Sequence, residues 1–490
     1  MTTIEYPMPV IIQGGMGIGV SGWQLARAVS RRGQLGVVSG TAIDSLFVRR
    51  LQDGDPGGHV RRAMEHFPLP DVSAAALDAY LLPDGRAGAP YRALPMWRQI
   101  VSQAREQVTM LASFVEVYLA REGHEGMVGM NLLTKVQLPN LATLYGAMMA
   151  GVDCIIMGAG IPREIPAVLD AFAEGRPASM KFDVEGLERG ESESITFDPA
   201  RHWTGAVPAL HRPLFFPVVA AHSLATMLAR KSVGRIDGFI VEGPTAGGHN
   251  APPRGATVMN DRGEPVYGER DTVDLDVMRS LGLPFWLAGG TGSAEGLQAA
   301  LRAGAAGIQV GTLFAYADES GLASDLKHRV LQQVRSGGAD VVTDPRASPT
   351  GFPFKVVGLD DTNSDDTLYA GRERVCDLGY LRNAYRREDG RIGYRCAAEP
   401  VDAFAKKGGS VDETDGRKCL CNGLMANIGH PQERDDGPER ALITSGDDLL
   451  LMKDFLRTRE SYTAGDVIDY LLGVHASDPV TGASVPAEAS

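Results

Sequence analysis

One short segment carries the residue types best suited to chemistry: residues 243–250 read Gly-Pro-Thr-Ala-Gly-Gly-His-Asn. They follow, after one intervening residue, residues 238–241, a short apolar run typical of a buried strand. Gly247 and Gly248 allow the backbone to approach a flat ligand closely or to adopt positive φ angles. The imidazole of His249 can exchange a proton near neutral pH. An isolated histidine is often structural, but this place at a strand end favours a catalytic role.

A second glycine-rich segment follows the first apolar run. Residues 13–17 read Gln-Gly-Gly-Met-Gly. Gly14 and Gly15 leave backbone amides free to face a ligand, and the thioether of Met16 offers a soft surface for an aromatic ring. A tight turn between a strand and a helix explains the same residues without a ligand, so both interpretations stay open.

Two further segments, after the seventh and eighth apolar runs, favour a phosphate site. Their candidate ligand-binding residues are Gly289, Gly290, Gln309, Gly311 and Thr312. In barrel enzymes the loops after these two strands, together with a helix N-terminus, commonly bind phosphate through backbone amides. The alternative is ordinary turns, with Ser293 acting only as a helix cap.

Four of the five cysteines lie in the last third of the chain, at Cys376, Cys396, Cys419 and Cys421. Four thiols in one region indicate a possible Zn²⁺ or iron–sulfur site. Only Cys419 and Cys421 are close in sequence, and their C-x-C spacing is unlike the usual C-x-x-C. Thiols without a metal are therefore the alternative.

Eight short apolar runs, several separated by amphipathic segments, must position these residues. The runs are residues 9–12, 35–38, 127–130, 154–157, 216–219, 239–241, 285–287 and 307–310. Strands that are apolar throughout and alternate with helices predict a parallel sheet covered by helices. Eight units predict a (β/α)8 TIM barrel, with a doubly wound open sheet as the alternative. Asn131, at the end of the third run, either hydrogen-bonds a cofactor or caps its loop.

The repeat predicts a barrel over residues 1–340 with two insertions. Residues 50–120, after the second strand, are expected to cover the barrel mouth, and residues 178–212, after the fourth, to form a hairpin. Residues 341–475 form a C-terminal extension that packs on the barrel. Residues 476–490 are small, polar and proline-containing, which predicts a disordered tail.

The composition is that of a globular protein and excludes several classes of partner. The chain has 490 residues, 44% of them hydrophobic, and a formal net charge of -13. This charge argues against nucleic acid or an anionic membrane surface as the main partner. No apolar run reaches the roughly 18 residues of a membrane span, and no signal peptide is evident. Five cysteines favour the reducing cytoplasm, and the sequence is compatible with a homo-oligomer.

Taken together, these motifs resemble those of the nitronate monooxygenase (2-nitropropane dioxygenase-like) family of FMN-dependent barrels. The matching segments are residues 9–17, 129–131, 243–249, 288–291 and 308–312, and the Thr-Gly-Phe-Pro sequence at 350–353. The resemblance covers roughly residues 8–356 outside the two insertions. Each motif is weak alone, but their order along the chain is specific.

The resemblance implies FMN in the barrel mouth and His249 as the active-site histidine. Gly14, Gly15 and Met16 would contact the flavin ring, Asn131 its polar edge, Gly247 and Gly248 the cofactor near His249, and Gly289, Gly290, Gly311 and Thr312 the phosphate, with Gln309 close by. A nitronate or nitroalkane would be oxidised with O₂ to a carbonyl compound and nitrite, with His249 positioning the anion or removing a proton.

Two departures from the family point to a specialised branch with a different substrate, as in secondary metabolism. Thr245 stands where relatives usually carry glutamate, so a carboxylate is expected to be missing from the site. The cysteine-containing extension is also foreign to small nitronate monooxygenases. The alternatives are an NAD(P)H-dependent flavin reductase of a quinone or enoyl thioester, a non-redox lyase or isomerase acting on a phosphorylated metabolite, and a binding module.

Overall fold

The structure, a computed structural model, describes residues 8–474. The predicted disordered tail at 476–490 lies outside the described residues.

Eight parallel strands form a closed barrel. From the second to the eighth, barrel strands that are consecutive in the sequence pair with one another, and the eighth pairs with the first. The ring closes between the first and second strands, where Ile12 forms a β-bridge with Leu35, the residue before the second strand. There, the amide of Gln13 donates to the carbonyl of Leu35 at 2.9 Å. The predicted (β/α)8 barrel is confirmed, and the open sheet is wrong. The barrel strands are Ile11–Gln13, Gly36–Ser39, Val128–Leu133, Cys154–Gly158, Leu214–Val219, Phe239–Glu242, Phe285–Ala288 and Gly307–Val310.

Helices follow the strands and cover the outside of the barrel. The first helix is typical, because it buries Trp23, Leu25, Ala26 and Val29 and exposes its polar face. The helices that follow the eight strands in turn are Trp23–Ser30, Gln103–Arg121, Gln137–Met149, Ile165–Ala173, His222–Lys231, Leu275–Ser280, Ala294–Arg302 and Ser324–Ser336.

The insertion after the second strand lies beside the barrel and not over its mouth. It adds the helices Ile43–Gln52, His59–Met64 and Pro70–Tyr80, and it ends in Gln103–Arg121, which packs against the first and third barrel helices. No residue from 50 to 120 lines the mouth cavity. The expected cover is therefore wrong, because the apolar residues of this insertion are used to pack against the barrel helices.

The hairpin predicted within residues 178–212 is confirmed. Ala178–Phe182 pairs antiparallel with Glu193–Phe197, and the two-residue strand Val184–Glu185 joins a strand of the extension, Asn383–Arg386. A third long connection, residues 243–274 after the sixth strand, was not predicted. Apart from the 3₁₀ turn Glu269–Asp271 and a bridge between Met259 and Pro265, it is irregular.

The extension packs on the barrel, as expected. Its last two helices, Asp448–Leu456 and Ala464–Leu472, lie against barrel helices, where the hydroxyl of Tyr462 donates to the carbonyl of Leu313 at 2.7 Å. The other elements of the extension are the strand pairs Val341–Asp344 with Phe354–Val357, Asn383–Arg386 with Ile392–Arg395, and Glu433–Arg434 with Gly437–Pro438, and the helices Asp366–Ala370, Val401–Lys406 and Leu420–Ala426.

Candidate active site

A cavity of about 230 Å³ opens at the carboxyl ends of the barrel strands. It brings together almost all the residues that the sequence singled out. Its lining includes Gly14, Gly15, Met16, Asn131, Gly247, Gly248, His249, Gly289, Gln309, Gly311 and Thr312. Gly290 is the exception. Its backbone has a φ of +69°, and it does not line the cavity.

The floor of the cavity is the top layer of side chains inside the barrel. Below it, Ile12, Ile240 and Trp286 belong to a packed internal cluster. Since strand side chains alternate in direction, residues two positions later also point inward. Strand pairing sets Gln309 beside Ala288, and Ala288 beside Glu242. The floor therefore includes three polar side chains, those of Asn131, Glu242 and Gln309.

Gln309 offers an unsatisfied acceptor to a ligand. Its Oε1 atom is buried and has no hydrogen-bond partner in the described chain. A buried polar atom without a partner costs free energy, about 1–3 kcal/mol. A ligand that donates a hydrogen bond from the cavity would remove this cost.

The first loop is fixed from behind by buried polar groups. Ser21 Oγ accepts hydrogen bonds from Gln13 Nε2 and from the Met16 amide, each 2.8 Å long, and donates to the Gly14 carbonyl at 2.8 Å. A Cβ atom at Gly15 would lie only 2.2 Å from the Cβ of Asn131. Gly15 therefore permits a contact that any other residue would prevent.

His249 is held by the extension and is electrically neutral at neutral pH. Its Nε2 lies 2.7 Å from Ser348 Oγ, and its ring packs edge-on against Phe354 at 4.9 Å. Burial, and then the positive charge of Lys135, lower the pKa of His249 to about 3. The expectation that this imidazole titrates near neutral pH is therefore wrong.

The Thr-Gly-Phe-Pro sequence of the family resemblance forms the turn that holds this histidine. The Asn250 amide donates to the Pro353 carbonyl at 3.0 Å, and the Lys355 amide to the Gly248 carbonyl at 2.9 Å. The conformation of the loop at residues 243–250 thus depends on residues about one hundred positions later in the chain.

A carboxyl group does occupy the mouth, contrary to expectation. Thr245 replaces the usual glutamate, but Glu242 points into the cavity from the end of the sixth strand. Burial raises its pKa to about 8, so this carboxyl is largely protonated at neutral pH. The sequence held a signal for it, because a charged residue two positions after an inward-facing strand residue must also face inward.

Glu242→Gln is expected to remove a pH dependence of stability. Between the ordinary pKa of 4.5 and the folded pKa of about 8, the folded chain keeps a proton that the unfolded chain has lost. The free energy of unfolding therefore falls as pH rises through this window, by at most about 1.4 kcal/mol per pH unit, and is level above it. Urea unfolding of the flavin-free wild type and variant at pH 5, 7 and 9 measures the difference. If the free energies of unfolding of the wild type and the variant changed with pH by the same amount, the prediction would be contradicted.

At the opposite end of the mouth, the extension occupies part of the predicted phosphate site. Thr312 Oγ1 accepts a hydrogen bond from the Gly446 amide at 3.0 Å. The carboxylate of Asp448 lies beside Gly292, where a Cβ atom would be 2.8 Å from Oδ2, and burial raises the pKa of Asp448. Ser293 caps the following helix by accepting from the Gly296 amide. The backbone amides of Gly289 and Gly311 remain the candidates for holding a phosphate.

The extension forms the roof of the cavity. Sequence reasoning predicted the extension but missed this contribution to the site. Gly247 packs against it so closely that a Cβ atom would lie 2.8 Å from the Gly446 nitrogen. The Gly248 amide donates to Thr444 Oγ1 at 3.0 Å, and the Asp447 amide to the Thr245 carbonyl at 2.9 Å. The roof residues are Tyr380, Leu381, Leu420, Cys421, Leu424, Asn427 and residues 443–446, with Asp448 at its edge. None of the described residues that line the cavity is a lysine or an arginine.

The four cysteines of the extension meet in space, but no metal site is seen. Cys376, Cys396, Cys419 and Cys421 line one small cavity of about 10 Å³, and Cys421 also lines the mouth. All four are free thiols. Within residues 8–474, no group of three or more His, Cys, Asp or Glu side chains is arranged to hold a metal ion. The convergence of the thiols is thus real, while the predicted Zn²⁺ or iron–sulfur cluster is not shown.

A membrane-spanning helix is not found either: none of the helices between residues 8 and 474 is both long enough and apolar enough to cross a bilayer.

Part of the barrel is similar to known proteins. Residues 165–344 match the family profile described as nitronate monooxygenase. A probable nitronate monooxygenase of Staphylococcus saprophyticus is 34% identical over 113 residues, covering 23% of this chain and 30% of that protein. A (3aS,4S,5R,7aS)-5-hydroxy-7a-methyl-1-oxo-octahydro-1H-indene-4-carboxyl-CoA dehydrogenase of Mycobacterium tuberculosis is 33% identical over 148 residues, or 30% of this chain and 36% of that protein. The chain thus matches about a third of the length of these curated relatives.

Two solved structures align with most of this chain at low sequence identity. FabK from Thermotoga maritima aligns with 96% of this chain and 93% of its own at 16% identity, with a TM-score of 0.47. A nitroalkane oxidase from Streptomyces ansochromogenes aligns with 95% of each chain at 16% identity, with a TM-score of 0.44. The barrel topology itself rests on the strand pairing described above.

Proposed function

We propose, from its relationship to the nitronate monooxygenase family, that this chain is an FMN-dependent oxidoreductase that works in the barrel mouth. The observation that carries the proposal is a neutral histidine, His249, beside a polar floor of Asn131, Glu242 and Gln309 at the mouth of a closed barrel. In the first form of the proposal, a nitronate or nitroalkane is oxidised with O₂ to a carbonyl compound and nitrite.

The residues present fit the cofactor. The unpartnered Gln309 Oε1 suits a ring N–H donor, and Gly14 and Gly15 line the cavity with backbone alone, which a flat ring can approach closely. The amides of Gly289 and Gly311 would hold the phosphate. When bound, FMN supplies the transfer of electrons between the substrate and O₂ or NAD(P)H.

The side chains of the mouth bind and orient the substrate. A neutral imidazole carries one N–H donor and one acceptor, so His249 can donate a hydrogen bond to an oxygen of a nitronate. The roof covers part of the mouth, and a hydrogen bond that is shielded from bulk water is stronger. With a pKa of about 3, His249 alone is a weak base for deprotonating a neutral nitroalkane.

A second function, NAD(P)H-dependent reduction of a quinone or enoyl thioester, is favoured by the charge of the cavity. The described lining offers no lysine or arginine to an anionic substrate. It does offer the carboxyl of Glu242, whose pKa of about 8 lets it donate a proton at neutral pH. Both features suit a neutral substrate that must be protonated as it is reduced.

One anaerobic experiment separates the two functions. The protein is loaded with FMN under argon, and flavin absorbance is followed after adding either a small nitronate or NAD(P)H. Bleaching by the nitronate, followed by release of nitrite when O₂ is admitted, is the expected result. Rapid bleaching by NAD(P)H alone supports the reductase. A chain that takes up no FMN would overturn both and favour the non-redox barrel; free FMN with each reagent is the control.

A further inference from the structure

We infer that Lys135 supplies and removes the proton of this site, acting on His249 through the hydroxyl groups of Thr350 and Ser348. The effect on turnover rests on the proposed function. The hydrogen-bonded connection between these four residues does not rest on the proposed function, because it is present in the chain without any ligand.

The four residues form one continuous chain of hydrogen bonds. Lys135 Nζ donates to Thr350 Oγ1 at 3.4 Å. Thr350 Oγ1 lies 2.8 Å from Ser348 Oγ, which lies 2.7 Å from His249 Nε2. Three separate parts of the chain contribute, namely the loop after the third strand, the loop after the sixth, and the turn that joins the first strand pair of the extension.

The chemistry of the end group sets the direction of these bonds. A lysine ammonium only donates, so the Thr350 hydroxyl accepts from Lys135 and donates to Ser348. Ser348 Oγ also accepts from the Thr350 amide at 3.2 Å, which leaves its own hydrogen for His249 Nε2. The ring proton of His249 is then on Nδ1, and within the described residues Nδ1 has no hydrogen-bond partner.

The electrostatics make Lys135 the group that titrates. Burial alone lowers the pKa of Lys135 to about 7, whereas His249 remains neutral down to about pH 3. The ammonium lies over the ring of Phe352, which keeps the charged form accessible. Besides Lys135 and His249, the charged group facing this chain of bonds is Arg417, which donates to the Ser348 carbonyl at 2.7 Å. Glu242 is the other titratable group of the floor.

Proton transfer along this chain is balanced at every atom. To protonate a substrate, the Lys135 ammonium gives a proton to Thr350 Oγ1, Thr350 passes its own to Ser348, Ser348 passes its own to His249 Nε2, and the Nδ1 proton leaves to the substrate. To deprotonate a substrate, each step runs in reverse, and neutral Lys135 takes up the proton. Solvent then reprotonates Lys135, and rotation of the two hydroxyls together with tautomer exchange of the His249 ring through solvent returns the chain of bonds to its starting state. The weak basicity of His249 is thereby compensated by a lysine with a pKa near 7.

The first test uses the chain without flavin. Competitive acetylation by acetic anhydride between pH 5 and 11, followed by mass spectrometry, gives the titration midpoint of each lysine. Lys135 is expected to react with a midpoint near pH 7, well below the value of about 10.4 that is usual for lysine, and the exposed Lys181 serves as the internal reference. A midpoint for Lys135 close to that of Lys181 would overturn the inference, whatever reaction the protein catalyses.

The second test breaks the relay at its middle without removing a charge. Thr350→Val deletes the hydroxyl and keeps the shape of the side chain, and Thr350→Ser restores a hydroxyl. In the FMN-loaded protein, turnover of the wild type is expected to change with a midpoint near pH 7. The valine variant should lose this pH dependence, and its turnover should fall by roughly 10-fold or more. The serine variant should keep the pH dependence. A wild-type pH profile for the valine variant would also overturn the inference.

A third comparison separates the charge of Lys135 from its proton. Lys135→Arg keeps a positive charge that does not titrate in this range, and Lys135→Met removes the charge. Both variants should lose the step near pH 7, while the flavin dissociation constant stays within about 3-fold of wild type. If the arginine variant kept the wild-type pH profile and the methionine variant lost it, the role of Lys135 would be electrostatic and the proposed relay would be wrong.

Discussion

Replacing His249 with alanine is expected to lower turnover by roughly 10²-fold or more, the usual loss for a group that moves a proton in the transition state. The imidazole is the only histidine ring that lines the described mouth, and no neighbouring group can substitute for it in contact with both the cavity and Ser348. FMN binding should persist, because the floor and the backbone amides that would hold the cofactor are unchanged. Steady-state turnover and a flavin titration of the same preparation measure the two effects.

His249→Gln is the matched control for this prediction. Its amide can restore the hydrogen bond to Ser348 and fill part of the space beside Phe354, but it cannot carry a proton from one side of the ring to the other. Loss of turnover in both variants would indicate that the imidazole itself acts. Wild-type turnover in the glutamine variant would indicate that His249 only fills space and hydrogen-bonds Ser348. Full activity in the alanine variant would exclude any catalytic role of His249.

Gly15→Ala is expected to have the second-largest effect, by disturbing the site's floor. The added Cβ would lie 2.2 Å from the Cβ of Asn131 and 3.2 Å from a methyl carbon of Val37, so the first loop or the third strand must shift. Overpacking of this kind typically costs about 1–3 kcal/mol of stability. Since the shift moves the surface that would contact the flavin ring, the dissociation constant of FMN should rise by roughly 10-fold or more.

Gly268→Ala provides the control, because nothing lies within 4 Å of the Cβ that it would add. Urea unfolding and quenching of flavin fluorescence should report wild-type values for it. If Gly15→Ala bound FMN as tightly as this control does, the ring would not lie against the first loop, and the proposed cofactor position would be wrong.

Local patterns in the sequence determined the barrel. Each of the eight apolar runs became a strand because burial on both faces of a parallel sheet requires apolar side chains throughout. The glycines at strand ends became the mouth for a similarly local reason, since they allow close approach there. Even Glu242 was within reach of the sequence, because the two-residue period from Ile240 fixes its direction. The sequence pattern could not show that burial would raise the pKa of Glu242.

Only the tertiary structure decided which residues complete the site. The roof at residues 443–446 and the turn holding His249 come from a segment about one hundred to two hundred positions after the loop that they contact, and no period or spacing encodes such a contact. The same holds for Lys135 and for the four thiols, which approach one another only when the extension wraps the barrel. Because burial and neighbouring charge set a pKa, the packing, and not the residue type, made His249 neutral and Lys135 titratable.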